Sequence, residues 1–159
     1  MPAHRLDPLD LRLLACLQQD NLQTADRLAE QVGRSPSAVA RRLRRLRATG
    51  AVAADVALVS EAAAGHPLSA IVHVQLERHA PQEGDRLRRR LVASPHVQLC
   101  LDIAGAFDIL LLVVAADMDD YNAFADATLA DHPAVRRFES TFVKKRVKAT
   151  LAVPLPEAG

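Results

Sequence analysis

Apolar residues recur at helical spacing in three segments of the first fifty residues, 7–19, 24–33 and 35–50. Each segment opens with a residue that can cap the free amides of a first turn, and Pro8 and Pro36 suit the first helical position, where no N–H is needed. We therefore predict three short helices that pack together through one apolar face each. The predicted core residues are Leu13, Leu14, Leu17, Leu28, Val32, Val39, Leu43 and Leu46.

The pattern changes after residue 67, where short apolar runs alternate with helical spacing. Strands are predicted over 68–76, 97–103, 107–115 and 135–148, and helices over 81–93 and 119–131. Gly105-Ala106 is predicted to form a tight hairpin turn. The order βαββαβ is typical of the ferredoxin-like arrangement, a four-stranded antiparallel sheet with both helices on one face. The predicted fold class is therefore α+β, with a helical N-terminal domain and a ferredoxin-like C-terminal domain.

One predicted strand indicates self-association. Residues 107–114 are nearly all apolar, as expected of a strand that is buried on both faces. Two helices cover only one face of the predicted sheet, so the other face needs a second cover. We expect a second copy of the chain to supply it, which makes the molecule at least a dimer.

The third predicted helix is strongly basic. Six arginines lie between Arg34 and Arg47, and no acidic residue occurs between Glu30 and Asp55. On a helical projection the face opposite the core carries Ser37, Arg41, Arg44 and Arg45, with Arg42 and Arg47 on the flanks. A polyanion is the natural partner of such a helix, and the alternative is a solvated basic surface.

The segment before the basic helix favours DNA binding. A short helix over 24–32 is followed by Gly33-Arg34, a tight turn in which glycine can adopt a positive φ. A short helix, a glycine turn and a basic second helix form the helix-turn-helix arrangement, whose second helix enters the major groove. We therefore predict double-stranded DNA as a partner.

Composition shifts mark the predicted domain boundaries. Residues 51–59 are strand-like and are expected to form a small wing, and residues 60–67 are alanine-rich and contain Gly65 and Pro67, which is typical of a linker. The predicted division is a DNA-binding domain over 1–52, a wing and linker over 53–66, and a second domain over 67–159. The formal net charge of +1 conceals a basic first third and a mildly acidic remainder, which suits this division.

Cysteine usage and hydropathy indicate the cellular compartment of the protein. Cys16 and Cys100 lie far apart in apolar runs. Free thiols are expected, with a disulfide as the alternative, and neither cysteine has a partner at metal-binding spacing. No signal peptide is recognisable, and no apolar run approaches the roughly 20 residues that a membrane helix needs. A cytoplasmic, nucleoid-associated protein without a membrane partner is predicted.

Together, these features resemble the leucine-responsive and asparagine-responsive regulators, the Lrp/AsnC family. The resemblance covers roughly Leu6 to Leu155. Its matching residues are Leu6-Asp7, Asp10, Leu13-Leu14, Leu17-Gln18, Leu28-Ala29, Val32-Gly33, Ser35-Pro36-Ser37, Arg41-Arg42-Leu43, Leu46, Gly50, Gly65, Pro95-His96-Val97, Gly105, Phe107 and Asp108. No single piece is specific, but the ordered set across two domains is.

The resemblance implies a sequence-specific transcriptional regulator that forms homodimers, usually assembling into tetramers or octamers. Matched residue by residue, the positions that face DNA are Ser35, Ser37, Ala38, Arg41 and Arg42. Arg45 is added from helix geometry. Either Arg41 or Arg42 would read guanine edges, whereas Arg34, Arg45 and the helix N-terminus would hold phosphate.

The resemblance also implies a small effector, commonly an amino acid, bound in a cleft between subunits near the glycine turn. The candidate effector residues are Gly105, Ala106, Phe107, Asp108, Ser140 and Thr141. Ala106 departs from the family pattern, which usually has an acidic or polar residue there to meet an amino group. Asp108 could supply that group or could simply cap the hairpin. Asp55, in the predicted wing, is a second departure because it brings a negative charge near phosphate.

Motifs of catalysis are missing, including GxSxG, the P-loop, HExxH and a Cys–His pair. The six histidines, at positions 4, 66, 73, 79, 96 and 132, are scattered. We therefore predict neither an enzyme nor a cofactor or metal site. Sirohaem decarboxylases resemble this family and are the enzyme alternative, with His73 or His96 near a tetrapyrrole, although such an enzyme has no use for the basic helix. A third hypothesis is an architectural DNA binder without an effector.

Overall fold

A computed structural model of the chain describes residues 6–77 and 81–156. His4 and His79, two of the scattered histidines, lie outside the described residues. The chain divides into two compact units, which we call the helical unit (Met1–Ala57 with Lys148–Gly159) and the sheet unit (Leu58–Val147). Each unit has its own apolar core.

The helical unit contains α1 (Pro8–Gln19), α2 (Ala25–Val32) and α3 (Pro36–Ala48), as the sequence predicted. Asp7 and Asp10 form a capping box at the start of α1, which satisfies two backbone amides reciprocally. Ser35 accepts a hydrogen bond from the amide of Ala38 at the start of α3. Gly33 ends α2 in the left-handed conformation, with φ at 66°, so the turn before α3 depends on a residue without a Cβ.

Seven of the eight predicted core residues of the helical unit are buried, and Leu17, the eighth, is half-buried and packs against them. Leu13, Leu28 and Val39 are fully buried, one from each helix. Residues 51–59, by contrast, form no hydrogen-bonded strand. A segment of strand-like composition forms a strand only when a partner strand lies beside it. Within the described residues no strand pairs with this segment.

The C-terminal residues belong to the helical unit in the structure, although the sequence analysis assigned them to the second domain. The side-chain amide of Gln18 pairs with both backbone groups of Val153, at 3.0 and 2.7 Å. Leu155 packs against the core that the three helices form. Residues 148–156 therefore lie along α1.

The sheet unit has the predicted βαββαβ order. Its elements are β1 (Leu68–Leu76), α4 (Pro81–Ala93), β2 (Val97–Asp102), β3 (Ile109–Ala115), α5 (Met118–Ala125), a π-helical turn (Asp126–Ala130) and β4 (Val135–Phe142). The strand order is β2-β3-β1-β4, and all neighbouring strands are antiparallel. The ferredoxin-like fold is therefore confirmed.

Both helices of the sheet unit pack on one face of the sheet. Leu87 and Leu91 of α4 share a core with Phe124 of α5 and with the inward residues of the strands, such as Val72 and Leu111. The opposite face, which we call the open face, carries the alternate strand residues. Its apolar members include Ile71, Leu99, Leu101, Leu110 and Leu112, which are half-buried or exposed, and Val114, which is buried.

The predicted end of β4 and the predicted turn between β2 and β3 are wrong. β4 ends at Phe142, six residues before the predicted end, because its only neighbour is β1 and their pairing ends at Ala70–Phe142. The turn between β2 and β3 is a six-residue loop over 103–108 and not a two-residue hairpin. The base of the loop is closed by a hydrogen bond from the backbone amide of Ile103 to the carbonyl oxygen of Asp108, at 2.9 Å.

Candidate nucleic-acid interface and ligand-binding region

The outer face of α3 carries exposed cations. Arg41 and Arg44 are both exposed, and within residues 6–77 and 81–156 neither forms an ion pair. Ser37 lies on the same side and is exposed as well. Two unpaired guanidinium groups and a hydroxyl group on one helix face can hydrogen-bond to phosphate oxygens and to base edges.

Arg42 and Arg45 are turned towards the start of α1. Nη1 of Arg42 lies 2.5 Å from Asp7 and 2.9 Å from Asp10, and Nη2 of Arg45 lies 2.5 Å from Asp10. The Asp10 side chain is only 1% exposed. Both arginines look unneutralised in the sequence, because these acidic partners lie more than thirty positions away.

These ion pairs favour the charged forms of the groups involved, as the directions of their pKa shifts show. The hydrogen bond from Arg42 lowers the pKa of Asp7 below its ordinary value, and the same contact raises the pKa of Arg42. On the other flank of α3, Arg47 donates to Asp55 at 2.6 Å and lowers the pKa of that carboxyl group. Asp55, predicted as an unfavourable charge near phosphate, is thus paired with an arginine.

The start of α3 holds the remaining predicted DNA contacts. Ser35 caps the helix, and its hydroxyl group lies 3.4 Å from that of Ser37. Arg34 is exposed, and its guanidinium group donates to the carbonyl oxygen of Gly33. Ala38 is half-buried. The predicted contacts therefore fall into an exposed group at the helix start and outer face, and a paired group, Arg42 and Arg45.

The loop over 103–108 is anchored by Asp108. Its carboxylate accepts a hydrogen bond from the backbone amide of Leu76 at 2.7 Å, and its own amide donates to Val74. The carboxylate therefore makes a structural contact, and its partner lies on β1 and not in the hairpin. Gly105 and Ala106 are exposed at the tip of the loop.

Phe107 makes contacts that the sequence analysis did not predict. Its ring centroid lies 5.2 Å from that of His73, and the guanidinium carbon of Arg137 lies 5.1 Å from it, a distance at which a cation is attracted to the ring face. Arg137 also donates to Gln75 and pairs with Glu139 at 3.1 Å. Strand alternation places His73 and Arg137 on the open face. Arg137 is on β4, two strands from β3 in the sheet, so its contact with Phe107 leaves no local signal in the sequence.

Ser140 and Thr141 do not share one surface. The Ser140 hydroxyl group hydrogen-bonds to the hydroxyl group of Tyr121, on the face of the sheet that the helices cover, and burial raises the pKa of Tyr121. Successive strand residues point to opposite faces, so only Thr141 lies on the open face. Thr141 pairs with Ile71, three positions along β1 from the Val74 that binds the loop. Within one subunit, the predicted effector residues therefore form no single cleft.

Comparison with known proteins identifies the family of this chain. The family model of the Lrp/AsnC ligand-binding domain matches residues 69–153, and a winged helix-turn-helix DNA-binding model matches residues 6–52. An uncharacterised HTH-type transcriptional regulator of Sinorhizobium fredii is 39% identical over 153 residues, covering 96% of this chain and 90% of that protein. The chain belongs to the Lrp/AsnC family.

Two further relatives extend the comparison. The DNA-binding transcriptional activator DecR of Escherichia coli K12 is 31% identical over 150 residues, covering 94% of this chain and 99% of that protein. A transcriptional regulator of Neisseria meningitidis, solved as a complex with L-Met, superposes with a TM-score of 0.89 at 31% identity, covering 94% of this chain and 97% of that one. This chain is thus a transcriptional regulator of the Lrp/AsnC type with a DNA-binding and a ligand-binding domain.

One histidine of this Lrp/AsnC regulator pairs with a carboxylate. Nε2 of His96 lies 3.1 Å from Asp120, and the backbone amide of Ala116 and His96 together lower the pKa of that carboxyl group. No group of three His, Cys, Asp or Glu side chains there could hold a metal ion. Cys16 and Cys100 are free and half-buried, and no described helix is long and apolar enough to cross a membrane.

Proposed function

We propose that this Lrp/AsnC regulator controls transcription by inserting α3 into the major groove of a specific DNA sequence. The observation that carries the proposal is the exposed outer face of α3, with Arg41 unpaired among the described residues and Ser35 and Ser37 at the helix start. The predicted contacts are Arg34, Ser35, Ser37, Ala38, Arg41, Arg42 and Arg45. The DNA-binding part is residues 1–52, and the effector part begins at residue 67.

The test of DNA binding starts with a duplex selected by the protein from a random pool. Affinity for this duplex and for a scrambled duplex of equal composition is measured by fluorescence anisotropy at several KCl concentrations. We expect the selected duplex to bind at least about a thousandfold more tightly, as specific protein–DNA complexes do. Arg41→Ala should cost about 1–3 kcal/mol on the selected duplex if the side chain reads a base. Equal affinity for both duplexes would contradict sequence-specific binding.

The second part of the proposal concerns the effector, which we take to be an amino acid bound between subunits beside the loop over 103–108. The support is the L-Met complex of the Neisseria regulator and the free backbone amides at the exposed loop tip, which suit a carboxylate. A thermal-shift screen against the twenty amino acids tests it, because a ligand that binds only the folded protein raises its melting temperature. Absence of any shift, together with sequence-specific DNA binding, would favour an architectural protein without an effector.

The third part concerns assembly and location. We propose that the open face joins two copies into a dimer, which then assembles into a tetramer or an octamer, and that the protein resides on the nucleoid in the cytoplasm. The support for the dimer is the row of half-buried and exposed leucines on β2 and β3. Neighbouring exposed apolar side chains mark interaction surfaces, whereas single scattered ones are common on any protein. Co-localisation of a fluorescent fusion with stained DNA tests the location.

A further inference from the structure

The arginines of α3 fall into two sets that differ in their electrostatic surroundings. Arg41 and Arg44, which we call the outward arginines, are exposed and form no ion pair within the described residues. Arg42 and Arg45, which we call the braced arginines, both donate to Asp10. Arg45 is among the DNA contacts predicted from the sequence, whereas Arg44 is not.

We propose that Asp10 is a positioning residue for DNA recognition: it holds the braced arginines against α1, so that the outward arginines make the DNA contacts of α3. The proposal rests on the proposed binding of DNA by α3. It changes the proposed set of contacts in two ways. Arg44 is added as a DNA contact, and Arg42 and Arg45 are reassigned from contacts to the orientation of the helix.

The burial of Asp10 explains why it holds the two arginines. A carboxylate that is 1% exposed has lost nearly all of its hydration, and it is tolerated only when charged partners and hydrogen bonds replace the water. Here the replacements are Arg42, Arg45 and the backbone amide of Asp7. Withdrawing either arginine to meet DNA would leave the carboxylate short of a partner, so the ion pairs oppose that movement.

The outer face of α3 holds arginines that differ in the number of hydrogen-bond donors still available. The buried residues Val39, Leu43 and Leu46 define the inner face, and Arg41 lies opposite them at 100° per residue. Arg44 and Arg45 both lie one turn further along the same outer face, since residues three and four apart are neighbours on a helix. The ion pair of Arg45 with Asp10 therefore separates the two arginines, and the helix geometry does not. A guanidinium group that already makes charge-assisted hydrogen bonds has fewer donors left for a bidentate contact with guanine. The outward arginines keep all of theirs.

Arg44→Ala and Arg45→Ala form a matched pair of variants, because each removes the guanidinium group of one exposed residue of α3. Binding to the selected and scrambled duplexes is measured across a KCl series, and the melting temperature of each variant is recorded. For Arg44→Ala we expect about a tenfold or larger loss on the selected duplex and a salt slope that is shallower by about 0.9. For Arg45→Ala we expect a lower melting temperature, less than a threefold loss of affinity and a smaller change in slope.

Asp10→Asn tests the positioning role directly. The amide oxygen can still accept the capping hydrogen bond from Asp7, but the variant no longer holds two cations by charge. We expect tighter binding to the scrambled duplex, a steeper salt slope and a smaller preference for the selected duplex, because the released arginines then reach phosphate. A residue that merely stabilised the fold would lower the melting temperature and leave the preference and the slope as in the wild type.

Equal losses of affinity and slope for Arg44→Ala and Arg45→Ala would overturn the inference, as would an unaltered preference in a folded Asp10→Asn variant. If Asp10→Asn does not fold, the arginine pair decides alone. Failure of the proposed function has a different result, in which the wild-type protein itself does not prefer any selected duplex over the scrambled one.

Discussion

The side chain of Gln18 binds Val153 through both of the groups that its amide offers. Nε2 donates to the carbonyl oxygen of Val153 at 3.0 Å, and Oε1 accepts from its backbone amide at 2.7 Å. A residue of α1 thereby holds a segment from the far end of the chain as a neighbouring strand would hold it. The C-terminal residues are part of the helical unit for this reason, and their removal should destabilise α1.

We predict that Gln18→Ala destabilises the helical unit. Two hydrogen bonds are removed at an exposed site, and each contributes about 0.5–1.5 kcal/mol. Hydrogen–deuterium exchange should therefore become faster in α1 and in residues 148–156, while the strands keep their protection. Gln19→Ala is the control, because Gln19 is a neighbouring exposed glutamine. Equal exchange in the two variants would contradict a holding role for Gln18.

The ion pair of Asp7 predicts a specific acid sensitivity. Arg42 lowers the pKa of Asp7 from its ordinary value of 3.8 in the folded chain, so the unfolded chain binds this proton more tightly. The stabilisation is therefore complete above the ordinary value and is lost as the pH falls through the lower folded value. Asp7→Asn, which keeps a capping oxygen, should be less stable than the wild type at pH 7 by about 1 kcal/mol or less, since the pair is partly exposed.

Melting temperatures of the wild type and of Asp7→Asn should consequently converge as the pH is lowered towards about 3, below the ordinary carboxyl pKa. Asp26→Asn serves as the control, because Asp26 is exposed in the first turn of α2 and forms no ion pair within the described residues. A gap between Asp7→Asn and the wild type that is constant over the whole acid range would show that charge pairing with Arg42 does not contribute.

Asp108 offers a test that separates a structural role from a ligand-binding role. Asp108→Ala should destabilise the sheet unit by about 1 kcal/mol, because the amide of Leu76 loses its acceptor. Asp108→Asn keeps an acceptor oxygen and should recover most of that stability. Thermal melts of both variants, with and without the amino acid found in the effector screen, make the comparison.

If the charge of Asp108 instead meets the amino group of an effector, the two variants would behave alike in ligand binding. Both would lose the ligand-induced shift, whatever their stability without ligand. A full ligand response of Asp108→Asn, combined with wild-type stability, is the outcome that we expect from the contact with Leu76.

The open face predicts the effect of a charge on assembly. Leu101 is 44% exposed in the single chain, and an aspartate there would place an unpaired charge in the proposed dimer interface, which is costly when water is removed. Leu101→Asp should therefore shift the molar mass measured by light scattering from the oligomer towards the monomer. Leu22→Asp is the control, since Leu22 is 92% exposed in the helical unit. An oligomer that withstands Leu101→Asp would move the interface to another surface.

Elements whose signals lie within a few residues were predicted well from the sequence. The caps at Asp7, Thr24 and Ser35 and the glycine turn at Gly33 act over three or four positions, so the three helices begin and end where the sequence indicated. The order of strands and helices was equally readable, because each strand follows from its own apolar run. The limits of β4 were not, because a strand ends where its pairing with the neighbouring strand ends.

The arrangement of charges and of the effector residues was decided by the tertiary structure alone. Six arginines looked unneutralised in the sequence, yet Asp10 meets Arg42 and Arg45 from another helix. Ser140 is adjacent to Thr141 in sequence but hydrogen-bonds beneath the helices. Local sequence determined the elements because backbone capping and apolar periodicity act over a few residues. Packing decided which side chains meet, because ion pairs and strand faces depend on elements that the chain brings together from distant positions.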